Sequence, residues 1–306
     1  MGGEAYKRRN RLHKRCFNRG HVIQARSTPA SFESLAMSAL TRNAVHVSGR
    51  GDTPLIFLHG YGTDQTMWRH IASRFETSHN VITYDHTGSG RSDRTAYDKV
   101  KYATLQGYAD DLIEICDELG VADVQVAAHS VGCMIAMLAS IKRPDLFERL
   151  MLLGPSPCYL NVEGYEGGFD REGIDELLGF LEINLEGWAT QLAPMVMANP
   201  DRPELTAELE SYFVRNDPDI AHHFANVVFL GDHRADLPLI TVPTLIMQCR
   251  DDIIAPMNIG DFMHAAMPQS ELVILDTHGH YPHLSAPDAV TAALLGYLDA
   301  QTALAA

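Results

Sequence analysis

From about Asn43 onward, the chain alternates short apolar runs with longer amphipathic stretches, and this alternation constrains the fold more than any other feature. Several apolar runs are continuous, which is typical of strands buried on both faces of a parallel sheet. The predicted strands are residues 44–47, 55–58, 81–84, 124–128, 150–153, 244–249 and 272–275. The predicted helices between them are residues 65–75, 105–119, 130–141, 259–266 and 287–298. Strand–helix alternation predicts an α/β fold with a mostly parallel central sheet flanked by helices.

The alternation stops between Leu153 and Thr244, where the sequence predicts a run of helices instead. Apolar residues recur at helical spacing at Leu185, Trp188, Leu192 and Met195. Asp217 followed by Pro218 is a typical helix start, with a capping carboxylate before a proline in the first turn. The predicted organisation is therefore a core of residues 37–157 and 231–306 with a helical lid, residues 158–230, inserted into it.

Length and charge limit the classes of function. A chain of 306 residues fits one α/β domain with an inserted subdomain. The formal net charge of −15 repels nucleic acid and anionic lipid, so neither nucleic acid nor a membrane is an expected partner. No apolar run is long enough to span a bilayer. The five cysteines form no Cys-x-x-Cys pair, which predicts reduced thiols in a cytoplasmic protein.

Residues 1–36 differ from the rest of the chain because they contain eight lysines and arginines but only two acidic residues. The segment has no hydrophobic periodicity and is predicted to be a disordered basic extension. It lacks the apolar region of a secretory signal. Three interpretations remain open: an organellar targeting peptide, a basic arm, or translated sequence upstream of a true start at Met37. The last is favoured because the predicted structure begins shortly after Met37.

The segment Val126-Ala127-Ala128-His129-Ser130-Val131-Gly132 runs from a predicted strand directly into a predicted helix. In that context Gly-x-Ser-x-Gly is typical of a nucleophile elbow, a tight turn that holds the serine hydroxyl clear of the sheet. Ala128 replaces the first glycine here, but alanine is still small. The amino terminus of the helix also places a positive partial charge beside the serine. Ser130 is therefore the candidate nucleophile, and a simple helix N-cap is its alternative role.

A serine nucleophile needs a base, because its hydroxyl reacts weakly at neutral pH. Asp251 and Asp252 follow the sixth predicted strand, and His280 follows the seventh. The carboxyl ends of parallel strands meet at one edge of a sheet, so these side chains should lie near Ser130. The chain order serine, acid, histidine is that of a triad in which histidine takes the serine proton and aspartate orients the histidine. The sequence predicts Ser130, Asp252 and His280 as this triad, with Asp251 as the rival acid.

Acyl transfer also needs hydrogen-bond donors for the oxyanion that develops on the substrate. The backbone N–H of Val131, next to the nucleophile, is one candidate. The segment His59-Gly60-Tyr61-Gly62 follows the second predicted strand and offers the N–H of Tyr61 as another. The segment 85–92 resembles half of a dinucleotide-binding fingerprint, but its third glycine is missing, and it is interpreted as a tight loop.

Further residues are candidates for a pocket or for metal binding. The predicted substrate pocket contains His129, Trp188, Met195 and Phe224. The alternative is that His129 fills the elbow and the other three form the core of the inserted helices. His278, His280 and His283 are close in sequence, but no nearby acid or cysteine completes a metal-binding set. Neither a metal nor another cofactor is expected.

Several stretches resemble one known family. They are His59-Gly60-Tyr61-Gly62-Thr63-Asp64-Gln65, His129-Ser130-Val131-Gly132, Gly154-Pro155-Ser156-Pro157-Cys158-Tyr159-Leu160-Asn161, Gly187-Trp188-Ala189-Thr190, Asp232-His233-Arg234, Gln248-Cys249-Arg250-Asp251-Asp252-Ile253-Ile254-Ala255-Pro256 and Gly279-His280-Tyr281-Pro282-His283. With them the chain resembles the RsbQ-like stress-response regulators of the α/β-hydrolase fold. It is also similar, more distantly, to the plant strigolactone and karrikin receptors. The stretches in the predicted lid are the specific ones, because a triad fits any hydrolase of the fold.

The resemblance implies an α/β-hydrolase fold with a four-helix lid over a small, closed, hydrophobic pocket. It implies that Ser130, Asp252 and His280 match the family triad, with Tyr61 and Val131 at the oxyanion hole. The expected activity is hydrolysis of a small, largely apolar ester or lactone through an acyl-serine. The alternative is a ligand-sensing regulator of stress signalling that hydrolyses slowly and acts through a protein partner.

Overall fold

One seven-stranded sheet organises the computed structural model, which describes residues 37–305 and the side chains of residues 37–300. The strands are β1 His46–Gly49, β2 Thr53–Leu58, β3 His79–Thr83, β4 Val124–His129, β5 Phe147–Leu153, β6 Thr244–Asp251 and β7 Ser270–His278. They lie in the order β1-β3-β2-β4-β5-β6-β7. β1 runs antiparallel to β3, and the other neighbouring pairs are parallel. The predicted mostly parallel sheet is confirmed, and each predicted strand overlaps an observed one.

The α-helices lie mainly between the strands. They are α1 Ala39–Arg42, α2 Arg69–Ala72, α3 Leu105–Leu119, α4 Val131–Lys142, α5 Arg171–Ile183, α6 Leu185–Met197, α7 Pro203–Val214, α8 Pro218–Phe229, α9 Met257–Ala266, α10 Pro282–Ser285 and α11 Pro287–Ala305. Three 3₁₀ helices span Gln65–Trp68, Arg94–Ala96 and Arg234–Leu239. Within residues 37–305, none of the helices is both long and apolar enough to cross a membrane.

Alternate residues of each strand serve the two faces of the sheet, because side chains in a strand point to opposite sides in turn. In β2, Ile56 and Leu58 join a hydrophobic cluster with α3, α4 and α9. Leu55 and Phe57 join a second cluster with α2 and α11. All four side chains are fully buried. Both faces of the sheet are therefore covered, which is why its strands read as continuous apolar runs.

Most element boundaries differ from the sequence prediction by one or more residues, and for two of them the structure shows the reason. The predicted helix 65–75 consists of the 3₁₀ turn Gln65–Trp68 followed by the short α2. The indole N–H of Trp68 donates to the carbonyl of Leu58 at 2.9 Å, which fixes this segment against the sheet. β1 begins two residues later than predicted, because Ala44 has a positive φ of 46° that an extended strand cannot contain.

Four helices, α5 to α8, fill the segment between β5 and β6 in which the sequence predicts a helical insertion. They are called the inserted helices below. α5 packs against α6 and α8, and α6 packs against α7. α8 begins as predicted, with the Asp217 carboxylate accepting from the N–H groups of Asp219 and Ile220 before the first turn. The predicted basic extension, residues 1–36, lies outside the described residues.

Candidate active site

The turn from β4 into α4 consists of Ser130 alone. Its φ of 54° and ψ of −124° are strained for a residue other than glycine, at a cost of order 1–3 kcal/mol. Neighbouring backbone groups hold the turn, since the Ser130 N–H donates to Leu153 O and the Cys133 N–H donates to Ser130 O, both at 2.9 Å. Such a turn presents the serine hydroxyl at the carboxyl edge of the sheet.

Small residues surround Ser130 because several backbone segments meet there. A Cβ atom on Gly132 would lie 2.8 Å from the carbonyl oxygen of His59. A Cβ atom on Gly60 would lie 3.2 Å from the Cβ of Ser130. Ala128 is fully buried, so the turn accommodates alanine where the motif usually has glycine. A larger side chain at either glycine would displace the backbone around the hydroxyl.

Ser130, His280 and Asp252 form a continuous chain of hydrogen bonds. The Ser130 hydroxyl lies 2.8 Å from Nε2 of His280, and Nδ1 of the same ring lies 2.7 Å from Oδ2 of Asp252. The second carboxylate oxygen of Asp252 accepts from the N–H groups of Ile254 at 2.8 Å and Ala255 at 3.2 Å. All three side chains are buried. The carboxylate is thereby held in place beside the imidazole.

Asp251, the rival acid in the sequence prediction, has a different partner. Its carboxylate lies 2.6 Å from Nδ1 of His278, and both side chains are exposed. The structure therefore brings Asp252, and not Asp251, to His280. The three histidines considered as metal ligands also have separate environments, because His278 is exposed and His283 is buried against Trp68.

The two predicted oxyanion donors lie on either side of the serine turn. Val131 begins α4, so its N–H is one of the groups that a helix leaves without an internal partner. Tyr61 is next in the chain to Gly60, whose backbone passes close to the Ser130 turn. Among the described residues, neither the N–H of Val131 nor that of Tyr61 has a hydrogen-bond partner. The phenol of Tyr61 donates to the carbonyl of Ala221 in α8 at 2.9 Å, which anchors this segment to the inserted helices.

A small apolar cavity of about 20 Å³ adjoins Ser130 and His280. Its other lining residues are Tyr61, Tyr159, Leu192, Val196, Phe213, Val228, Phe229, Ile254 and Tyr281. Burial raises the pKa of the Tyr159 and Tyr281 phenols above the ordinary value, so both stay uncharged. The inserted helices α6, α7 and α8 supply about half of the wall, and this cavity has room for roughly one water molecule.

Met195, predicted to line the substrate pocket, does not line this cavity. This side chain is 58% exposed, because the buried face of α6 runs along Ala189, Ala193 and Val196 instead. Trp188 is buried but does not line the cavity; it packs behind the lining residues, with its ring centroid 5.2 Å from that of Phe213.

Phe224 and His129 are also buried away from the cavity. The Phe224 ring packs 5.6 Å from the ring of Tyr61 and stacks on Tyr108 at 4.5 Å. His129 lies behind His280, with its ring centroid 4.8 Å from that of the catalytic candidate. The prediction that these two side chains line the substrate pocket is therefore not matched by the cavity.

The predicted pocket contained none of the lining residues on the inserted helices, and it also missed three lining residues of the core: Tyr159, Ile254 and Tyr281. Each lies in a loop that follows the carboxyl end of a strand. Tyr281 is adjacent to His280, and Ile254 is two residues after Asp252, so proximity to the predicted triad was a usable signal. Tyr159 follows β5 by six residues and could be found from its position at the same sheet edge.

Comparison with known proteins agrees with this fold. Residues 55–293 match the family described as "Alpha/beta hydrolase family". "Strigolactone esterase RMS3" of Pisum sativum is 39% identical over 79% of this chain and 91% of its own length. "Karrikin insensitive 2 receptor CA" of Petunia hybrida is 34% identical over 83% of this chain and 94% of its own. The solved structure of a hydrolase from Oleispira antarctica has a TM-score of 0.83 and 35% identity, covering 85% of this chain and 96% of its own.

Proposed function

Because the chain belongs to the alpha/beta hydrolase family, we propose that it is a serine hydrolase that cleaves a small, largely apolar ester or lactone. In this proposal Ser130 is the nucleophile, His280 the base and Asp252 the residue that orients the base. The unbroken chain of hydrogen bonds from Ser130 to Asp252 is the observation that carries it.

Acylation begins when Nε2 of His280 takes the proton of the Ser130 hydroxyl as Oγ attacks the carbonyl carbon of the ester. The carbonyl oxygen becomes an oxyanion, which accepts hydrogen bonds from the N–H groups of Tyr61 and Val131. The tetrahedral intermediate then collapses, and His280 gives its proton to the leaving alcohol. The product of this half-reaction is an acyl ester on Ser130.

Deacylation repeats these steps with water in place of the serine. His280 takes a proton from the water as the water oxygen attacks the acyl carbon, and it returns the proton to Oγ of Ser130 when the acid leaves. The attacking water takes the place that the leaving alcohol has vacated beside the acyl carbon. A lactone follows the same route and leaves as one hydroxy acid.

The cavity favours an apolar substrate because carbon atoms and neutral phenols make up most of its wall. An ester is larger than one water molecule, so it can enter only if side chains of the wall move, and about half of that wall belongs to the inserted helices. We therefore assign residues 158–230 the role of a lid over the core of residues 37–157 and 231–306. Burial of the substrate under this lid excludes bulk water and strengthens the hydrogen bonds to the oxyanion.

The test is the hydrolysis of short-chain p-nitrophenyl esters by the unmodified protein and by Ser130→Ala. Release of p-nitrophenol and the intact mass of the protein are both measured. Loss of the nucleophile should lower kcat by on the order of 10⁴- to 10⁶-fold. A transient mass increase equal to one acyl group should appear in the unmodified protein and be absent from the variant. Activity retained by Ser130→Ala would refute the proposal.

A second candidate is a ligand-sensing regulator in which hydrolysis is slow and a protein partner receives the signal. The similarity to a protein named as a karrikin receptor, over most of both chains, is the observation that favours it. In this case the acyl adduct on Ser130 should persist, with little turnover and a ligand-dependent rise in Tm. Steady multiple turnover without a change in Tm favours the first candidate.

A further inference from the structure

Hydrogen bonds hold the backbone of His280 on both sides. Its N–H donates to the carbonyl of Val196, near the end of α6, at 2.7 Å. Its carbonyl accepts from Nε2 of His129 at 2.7 Å. The imidazole is bonded at the same time to Ser130 and Asp252. The backbone N–H of His280 is thus bonded to the inserted helices, and its backbone carbonyl is bonded to the sheet core.

The His129 ring is confined between two backbone segments. A carbonyl oxygen can only accept a hydrogen bond, so Nε2 of His129 carries the proton. On the opposite edge of the ring, a Cβ atom on Gly60 would lie 2.5 Å from Nδ1. The residue is fully buried, and the pKa of His129 lies well below its usual value because of burial and the nearby His283 and His280. The neutral donor form therefore persists at working pH.

His283 provides a natural contrast to His129. It is also fully buried, and its ring centroid lies 4.4 Å from that of His129. Its ring stacks on Trp68 at 4.9 Å. Neither ring nitrogen of His283 has a hydrogen-bond partner among the described residues. The two adjacent imidazoles thus share one environment. Only one of them, that of His129, donates a hydrogen bond to the backbone of His280.

We propose that His129 is a positioning residue for the hydrolytic reaction, because its Nε2–H holds the His280 carbonyl and keeps the imidazole in line between Asp252 and Ser130. This inference rests on the proposed function of the Ser130 site. His280 lies in a loop between β7 and α10, and its N–H is bonded to α6, which belongs to the proposed lid. The bond from His129 comes from β4 in the core instead, so it keeps the base aligned independently of the contacts that the lid makes.

The test compares variants that keep or remove the donor at each of the two imidazoles. Glutamine can place its side-chain N–H₂ near the position of Nε2, whereas phenylalanine and leucine have no donor. The variants are His129→Gln, His129→Phe and His129→Leu, with His283→Gln and His283→Phe as matched controls and Ser130→Ala as the reference. Each is assayed for kcat and KM on p-nitrophenyl acetate, and for Tm.

At position 129, removal of the donor should lower kcat by about 10- to 100-fold with little change in KM, because a displacement of about 1 Å has that effect. His129→Gln should recover a substantial part of the loss. The two His283 variants should have kcat values close to that of the unmodified protein, even where their Tm is lowered as much as in His129→Phe. This pattern separates positioning from packing.

Equal kcat in the donor-bearing and donor-lacking variants at position 129 would overturn the positioning role. A loss of kcat at position 283 as large as that at position 129 would also overturn it, because packing alone would then explain both. Activity retained by Ser130→Ala would refute the proposed function, and with it this role. Loss in Ser130→Ala without a selective effect at position 129 would refute the positioning role alone.

Discussion

Two adjacent carboxylates at the end of β6, Asp251 and Asp252, have different environments, and the difference decides which of them contacts the proposed base. The Asp252 side chain is fully buried, accepts from two backbone N–H groups and faces His280. The Asp251 side chain is 63% exposed and pairs with His278, which is equally exposed. An exposed pair of this kind contributes roughly 0–1 kcal/mol to stability. In the proposed reaction, Asp252 is therefore the carboxylate that orients the base.

We expect Asp252→Asn to lower kcat by about 10⁴-fold, because an amide in place of the carboxylate favours the wrong tautomer of His280. Asp251→Asn is the matched control, since it makes the same change one residue away. It should keep kcat close to that of the unmodified protein. Both are measured by ester hydrolysis. Equal losses in the two variants would contradict the assignment of Asp252.

At the scale of elements, α8 begins at a capping residue that the sequence predicts, and its last turn forms part of the cavity wall. Asp217 caps the helix, Val228 and Phe229 near its end line the cavity, and the Ala221 carbonyl accepts the phenol of Tyr61. A helix whose first N–H groups are capped frays less at that end. The cap should therefore support both the helix and the cavity wall.

Asp217→Ala should lower the free energy of unfolding by about 1 kcal/mol, because two N–H groups at the start of α8 lose their acceptor. The control is Asp219→Ala in the first turn of the same helix, which removes a charge near the positive end of the dipole but no cap. Its effect should be smaller. Urea unfolding measures both, and an equal loss in the two variants would show that charge rather than capping is responsible.

Local signals predicted the elements, but they could not predict which way each element faces. The start of α8 could be predicted from a short stretch of sequence. The triad of Ser130, Asp252 and His280 could be predicted from the order of these residues along the chain and from the strand ends that they follow. The spacing in α6 predicted a helix correctly and still placed Met195 in the pocket. Which side of an amphipathic helix faces a cavity depends on its packing against α5 and α7, and that information is spread over distant residues.

At the scale of the whole molecule, several buried imidazoles lie close to the carboxyl edge of the sheet. His59 and His86 contact each other, with ring centroids 4.1 Å apart, and His129 and His283 lie behind the proposed base. Burial is the first cause that lowers the pKa of each of the four, and it lowers that of His283 to about 3. These rings are neutral in the folded protein, whereas in the unfolded chain they take up protons below pH of about 6.5.

This difference makes the stability of the protein depend on pH. Between the two pKa values of a given ring, the unfolded state binds more protons than the folded state, so the free energy of unfolding falls as pH falls. For His283 the loss begins near pH 6.5, continues to about pH 3 and stops below that, where both states are protonated. At pH 5 this single ring should account for a loss of about 2 kcal/mol relative to neutral pH.

We expect urea unfolding to show a marked decrease in stability from pH 7.5 to about 5, and His283→Phe to reduce that decrease by about 2 kcal/mol. The control is His46→Phe at an exposed position in β1, which makes the same substitution without removing a buried imidazole. The quantity compared is the change in unfolding free energy between the two pH values, not its size at either one, so a packing defect in the variant cancels. If His283→Phe and the unmodified protein lose the same stability on acidification, His283 is not held neutral by the fold.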